Sequence, residues 1–184
     1  MKKILALVLC ALLVLALVAC GGEKKSVPLD DASAALDVHL ASLKAKDFAA
    51  TNILADTAYA NEDPAMLDAM YTNFDYVITD SVIDGDTATV KADIEMVDMG
   101  AAFAAYLGEA MVHAADADWD ADGSYFMELL KKDDATTKTF SVTVNMVKDA
   151  EGAWALGEDN AELYDALTGG LVGSLEGLGA ALGQ

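Results

Sequence analysis

The chain predicts an α+β fold, a curved antiparallel sheet of about four strands packed against helices, with a helical insertion between two hairpins. Three patterns point to it. Residues 87–97 and 139–148 alternate strictly between apolar and polar side chains, as half-buried strands do. Turn signals stand beside both, at Asp84-Gly85 and at Ala150-Glu151-Gly152. The flanking stretches instead repeat apolar residues every three or four positions, the period of a helix that covers one face of a sheet.

The N-terminus reads as an export signal spanning residues 1–19. Lys2 and Lys3 form a basic start, Ile4 to Ala16 an unbroken apolar run, and small residues precede Cys20. A membrane-spanning helix needs about 20 apolar residues, and this run is shorter. Leu17-Val18-Ala19-Cys20 resembles the lipobox of bacterial lipoproteins. The resemblance implies a diacylglyceryl thioether on the Cys20 sulfur and removal of the signal ahead of it. Two acyl chains, at about 0.8 kcal/mol per buried methylene, hold such a protein on the membrane, here at its extracytoplasmic face. Cys10 falls within the discarded signal, so no thiol remains for a disulfide or a zinc-thiolate site.

Residues 20–29 read as a short linker with two glycines and a proline, and residues 30–184 as a single α+β domain. Asp30 or Asp31 caps a first helix running to about residue 44, with Ala32, Ala35, Leu36, His39, Leu40 and Leu43 on its apolar stripe. A second helical stretch is expected over 47–60 and a third from Pro64 to about Thr72. The first hairpin pairs 74–83 with 87–97. Residues 99–115 and 125–132 form the helical insertion, the first with Met99, Phe103, Tyr106, Leu107, Ala110 and Met111 at helical spacing. The second hairpin pairs 139–148 with a return through Trp154 and Leu156. A last helix is expected from about Asn160 to Leu182, its leucine stripe directed to the core.

The hairpin sequences Ser81 to Lys91 and Val147 to Leu156, with Leu43-Lys44-Ala45-Lys46-Asp47-Phe48 before them, resemble small lipoproteins of Gram-positive bacteria that have no assigned activity. Their domains look like the nuclear transport factor 2-like or cystatin-like fold, a curved sheet wrapped around helices. The resemblance implies that fold and no particular chemistry.

Charge narrows the partners. The chain has 11 lysines, no arginine and 31 acids; without Lys2 and Lys3 the side-chain charge is −22. Such a surface repels phosphates, which excludes nucleic acid as a ligand. It leaves the membrane, reached through the N-terminal lipid, and an unknown protein or small-molecule ligand.

One segment carries metal-binding chemistry. In Asp118-Trp119-Asp120-Ala121-Asp122-Gly123-Ser124 the alternate aspartates can aim hard oxygens at one point, and the glycine permits a sharp turn. The spacing resembles a calcium loop with Asp118, Asp120, Asp122 and Ser124 at its first positions. The bidentate acid belongs at the site of Leu129, and Glu128 stands one residue early, so calcium would bind weakly. No zinc signature, phosphate loop or serine elbow is present.

His39 and His113 read as hydrogen-bonded or exposed rather than catalytic, and the seven methionines after Met1 as core filler. The functional expectation is a non-enzymatic binding or interaction domain at the cell surface. The alternatives are a calcium-stabilised domain and an enzyme working in a cavity of the fold with acids such as Asp75 or Glu95.

Overall fold

The structure, a computed structural model, describes residues 27–54, 64–116, 118–120, 124–132, 135–181 and 183; Cys20 lies outside them. The elements run helix α1 (Asp31–Lys44), a 3₁₀ turn (Phe48–Ala50), helix α2 (Pro64–Met70), strands β1 (Asp75–Asp84) and β2 (Thr87–Val97), helices α3 (Met99–Val112) and α4 (Ser124–Lys131), strands β3 (Thr137–Lys148) and β4 (Trp154–Leu156), and helices α5 (Ala161–Leu167) and α6 (Leu171–Ala181). The strands form one open, curved antiparallel sheet in the order β1-β2-β3-β4. β2 and β3 are therefore neighbours although the whole α3–α4 insertion separates them in sequence.

Helix α1 starts at a cap that satisfies two otherwise orphaned backbone donors. Ser33 N–H donates to Asp30 Oδ1 at 2.8 Å, and Asp30 N–H donates to Ser33 Oγ at 2.8 Å. The Ser33 N–H also holds the Asp30 carboxyl below the usual carboxylate range. Ala32, Leu36, Leu40 and Leu43 recur at helical spacing and are fully buried, so the stripe read from sequence is the face that meets the sheet.

On the sheet, the alternation of β2 becomes two different faces. Ala88, Val90, Ala92, Ile94 and Met96 are buried, and Val142, Val144 and Met146 of β3 join them. Met70, Tyr71 and Phe74 close the core at the end of α2, and Leu163, Ala166 and Leu167 of α5 cover β2 and β3. On the other face the polar residues pair with each other. Lys91 Nζ lies 3.1 Å from Asp80 Oδ2, Ser141 Oγ donates to Asp93 Oδ1 at 2.7 Å, and Thr137 Oγ1 donates to Glu95 Oε1 at 3.2 Å. The sheet thus has one apolar face filled by helices and one wet face, as its period of two requires.

Both sheet edges are blunted. β4 pairs with β3 only from Met146 to Lys148. Beyond it, Asn145 N–H donates to Asn160 Oδ1 at 2.8 Å, Asn160 Nδ2 donates to Asn145 O at 3.1 Å, and Thr143 N–H donates to Glu162 Oε2 at 3.2 Å. Asn160, 2% exposed, thereby takes the place of a missing strand residue. At the other edge, a bulge between Ile78 and Asp80 breaks the regular ladder of β1.

Two helix expectations are corrected. Of the stretch 47–60, Phe48–Ala50 is a 3₁₀ turn and Thr51 is extended; residues 55–60 lie outside the described residues. Asp47 makes no side-chain cap bond, and Thr51 Oγ1 accepts the Ile53 N–H at 3.2 Å, a local bond that competes with a helical one. The C-terminal helix is two helices. Gly170 N–H donates to Asp165 O at 2.8 Å and Gly169 N–H to Ala166 O at 2.9 Å, the paired bonds of a Schellman stop, with Gly169 at φ +62. Leu163 and Leu167 before the stop are fully buried, whereas Leu175 and Leu178 after it are exposed, so only half of the leucine stripe faces the core.

Candidate ligand-binding surface

The insertion leaves the sheet without a loop. Asp98 follows β2 and caps α3, its Oδ1 accepting the Ala101 N–H at 2.8 Å, while Met99 N–H donates to Gly169 O at 3.0 Å. Met99 is buried, and it alone among the residues of α3. The expected core positions Phe103, Tyr106 and Ala110 are half-buried, and Met111 is 76% exposed, which corrects its reading as core filler. Met70, Met96, Met99 and Met146 are buried as expected.

The half-buried face of α3 carries Phe103, Tyr106 and His113 at spacings of three and seven, which places them on one side of the helix. Against it stand Trp119 from the loop and Tyr125 and Phe126 from the first turn of α4. The Trp119 and His113 rings stack with centroids 5.3 Å apart and planes 2° from parallel. Tyr106 and Tyr125 each lie 5.6 Å from Trp119, and Phe126 meets Tyr106 edge-on at 5.7 Å. These spacings fall within the range in which aromatic pairs attract, by about 0.5–1.5 kcal/mol each. All six rings remain half-buried.

Around the rings stand exposed acids: Glu109, Asp116, Asp118 and Glu128. Glu109 Oε2 lies 3.9 Å from His113 Nε2, and Asp118 N–H donates to Asp116 Oδ1 at 3.2 Å. Ring faces carry negative quadrupole charge, and carboxylates at the rim add to it. Such an arrangement of ring faces and carboxylates suits a cation with a flat or apolar body.

The calcium-loop residues are less converged. Asp120 sits at φ +48, and its Oδ1 accepts the Tyr125 N–H at 2.8 Å, so this carboxylate organises the start of α4. Its Oδ2 is buried and has no hydrogen-bond partner among the described residues. Asp118, Ser124 and Glu128 are exposed, and Asp122 lies outside the described residues. Among the described residues no three His, Cys, Asp or Glu side chains gather as a metal-binding group.

The remaining polar candidates have structural partners. His39 Nδ1 lies 2.9 Å from Thr51 Oγ1, and burial lowers the pKa of this imidazole. Asp75 pairs with Lys44 at 2.6 Å. Tyr76 Oη donates to Asp37 Oδ1 at 2.7 Å; burial, and then the Asp37 carboxylate, push the phenol pKa upward. Tyr76, Asp37 and Lys44 line a groove of about 320 Å³ between α1 and the β1 edge, floored by Val27 and Leu29. Its polar atoms face each other across hydrogen bonds, which leaves the aromatic surface as the better candidate. Helical spacing alone makes Phe103, Tyr106 and Met111 one core stripe. The sequence places Phe103, Tyr106 and His113 on one side of α3, and that spacing is the same whether core or solvent lies beyond it.

No family model matches the chain, and no curated protein matches it. Among solved structures it is similar to a candidate lipoprotein, YcdA, of Bacillus subtilis, at 16% identity over 88% of this chain and 54% of that one, with a TM-score of 0.39. The chain thus spans about half the length of that protein. Among the described residues no helix is long and apolar enough to cross a membrane.

Proposed function

We propose that the chain is a lipid-tethered, non-enzymatic binding domain of the cell surface, with a nuclear transport factor 2-like or cystatin-like fold, whose helical insertion receives a cationic ligand on the Trp119-centred rings. The observation that carries this reading is the half-buried aromatic cluster itself. In a chain with 31 acids, rings that could have entered the core converge at the surface beside Glu109, Asp116 and Asp118. The lipobox at Cys20 supports the tether. The filling of the sheet's apolar face by Leu36, Leu40, Leu163 and Leu167 weighs against an enzyme working in a cavity there.

A hexa-arginine peptide is a suitable probe, because guanidinium planes stack on ring faces. Titrated against the full-length protein, Trp119→Ala should weaken binding about tenfold, the factor that ~1.4 kcal/mol makes, with the acids untouched. Unchanged affinity would leave only nonspecific charge attraction and sink the ring-centred reading. In parallel, Cys20→Ser should abolish incorporation of a labelled fatty acid in the producing cell; persistent labelling would remove Cys20 as the anchor.

A second reading rests on Asp120 Oδ2, which has no hydrogen-bond partner among the described residues. Calcium held by Asp118, Asp120, Asp122 and Ser124, with Glu128 turning in from α4, would satisfy that oxygen. With affinity in the range of roughly 10⁻⁴–10⁻³ M, millimolar calcium should raise the melting temperature of the parent and leave Asp120→Ala unmoved. No calcium response in the parent would end this reading.

A further inference from the structure

Of the large apolar side chains that stand exposed among the described residues, most lie on two helices. Leu107, Met111 and Val112 belong to α3, and Val172, Leu175 and Leu178 to α6. The helices pack against each other, close enough that a Cβ at Gly100 would strike the Ser174 side chain. Glu109 and Glu176 are the charged residues among the 14 of α3 and the 11 of α6, in a chain of which 23% is charged.

Helix α6 has little to hold it within its own fold. None of its described side chains is buried, and Leu171 and Gly179 are the half-buried ones. Gly173, Gly177 and Gly179 stand inside it, each costing about 1 kcal/mol relative to alanine. An isolated helix shorter than about 12–15 residues is marginal in water even with good helix formers. A further apolar surface over Leu175 and Leu178 would supply the missing stabilisation.

We propose that the α3–α6 face is where two copies of this chain meet. In a two-fold dimer the same patch lies against itself, so any acid on the patch is brought up against a surface that carries the same acids. A chain with net charge −20 can pair in this way only through a face from which acids have been kept away, and α3–α6 is such a face. Other occupants fit it less well. A basic partner would want acids across from its lysines, and this face offers two. An anionic bilayer surface selects lysines at the rim of an interfacial helix, and α3 and α6 have none. With helices about 20 Å long lying side by side, the patch is smaller than the ~800 Å² per partner of a standard interface. The dimer is accordingly weak and reversible, suited to trapping by crosslinking.

The test uses the full-length chain in the cells that produce it, with Met111→Cys, Leu175→Cys or Leu178→Cys and a short bis-maleimide. At least one of these should give a dimer-sized band about tenfold stronger than the unsubstituted chain or a Thr139→Cys control on the wet sheet face, and Leu175→Lys should cut the Met111→Cys band by a similar factor. A retained thermal melt shows that Leu175→Lys folds. Three results would overturn the proposal: no dimer band above the controls, a crosslink to a protein of different mass, or α6 cysteines shielded from maleimide without crosslinking, which would mean that a bilayer covers the face.

Discussion

Replacing Tyr71 by alanine is expected to lower the unfolding free energy by about 3–5 kcal/mol. Tyr71 is 1% exposed at the end of α2, with its ring 5.4 Å from Phe48 and 5.2 Å from Phe74. Its hydroxyl donates to the Leu167 carbonyl at 2.8 Å, one of the acceptors that the end of α5 leaves without a helical donor. Alanine removes the ring and orphans that carbonyl. Tyr71→Phe removes the hydroxyl alone and should cost about 1–2 kcal/mol, so the difference between the two variants separates packing from the hydrogen bond. Urea titration gives both values, provided the slope against denaturant stays constant. A loss below about 1 kcal/mol for Tyr71→Ala would mean that Tyr71 does not join α2 to α5 as described.

Gly169→Ala should be nearly as damaging, by about 2–4 kcal/mol, although it adds one methyl group. At φ +62 a side chain is strained wherever it points, and here the new Cβ would lie 2.5 Å from both Met99 Cγ and the Val97 carbonyl oxygen. The methionine can turn away, but the backbone oxygen cannot without disturbing the end of β2. Gly108→Ala is the control. It lies in α3, where a new Cβ would meet nothing within 4 Å, and should be neutral or stabilising by up to about 1 kcal/mol. Equal effects at the two glycines would contradict the account of the α5–α6 junction.

Both variants bear on the segment 167–169. Leu167 O receives Tyr71, and Gly169 O receives the first backbone N–H of α3. The same segment is where the sequence misleads. The leucines at 163, 167, 171, 175 and 178 keep helical spacing across it, and periodicity alone cannot show that the helix axis turns between them. Thr168-Gly169-Gly170 is the stop signal, outweighed by the longer pattern. The strands are more legible, because alternation in β2 has one interpretation when one sheet face is filled and the other wet. Capping at Asp30 is legible for a similarly local reason.

The candidate site is hardly legible in the sequence. Aspartates at 118, 120 and 122 draw attention through their spacing, yet Asp120 spends one oxygen on the start of α4. The aromatic surface depends on Trp119 meeting two helices, a tertiary event with no linear signature. Helical spacing identifies the ring face of α3 but cannot tell whether the core or the solvent lies beyond it. The exposed apolar residues of α3 and α6 are hidden by the same ambiguity, since a stripe looks alike in sequence whether its partner is this chain or another molecule.

On the proposed reading, the Trp119 surface is where this domain takes its ligand. The chain has two tryptophans, and Trp154 lies on β4 beneath Lys148, whose Nζ is 5.0 Å from its ring centre, so each can be made the sole indole. Fluorescence of Trp154→Phe, which reports Trp119, should change in intensity and wavelength as hexa-arginine is added, while Trp119→Phe, which reports Trp154, should stay constant. A response from Trp154 alone, or equal responses from both, would contradict the claim.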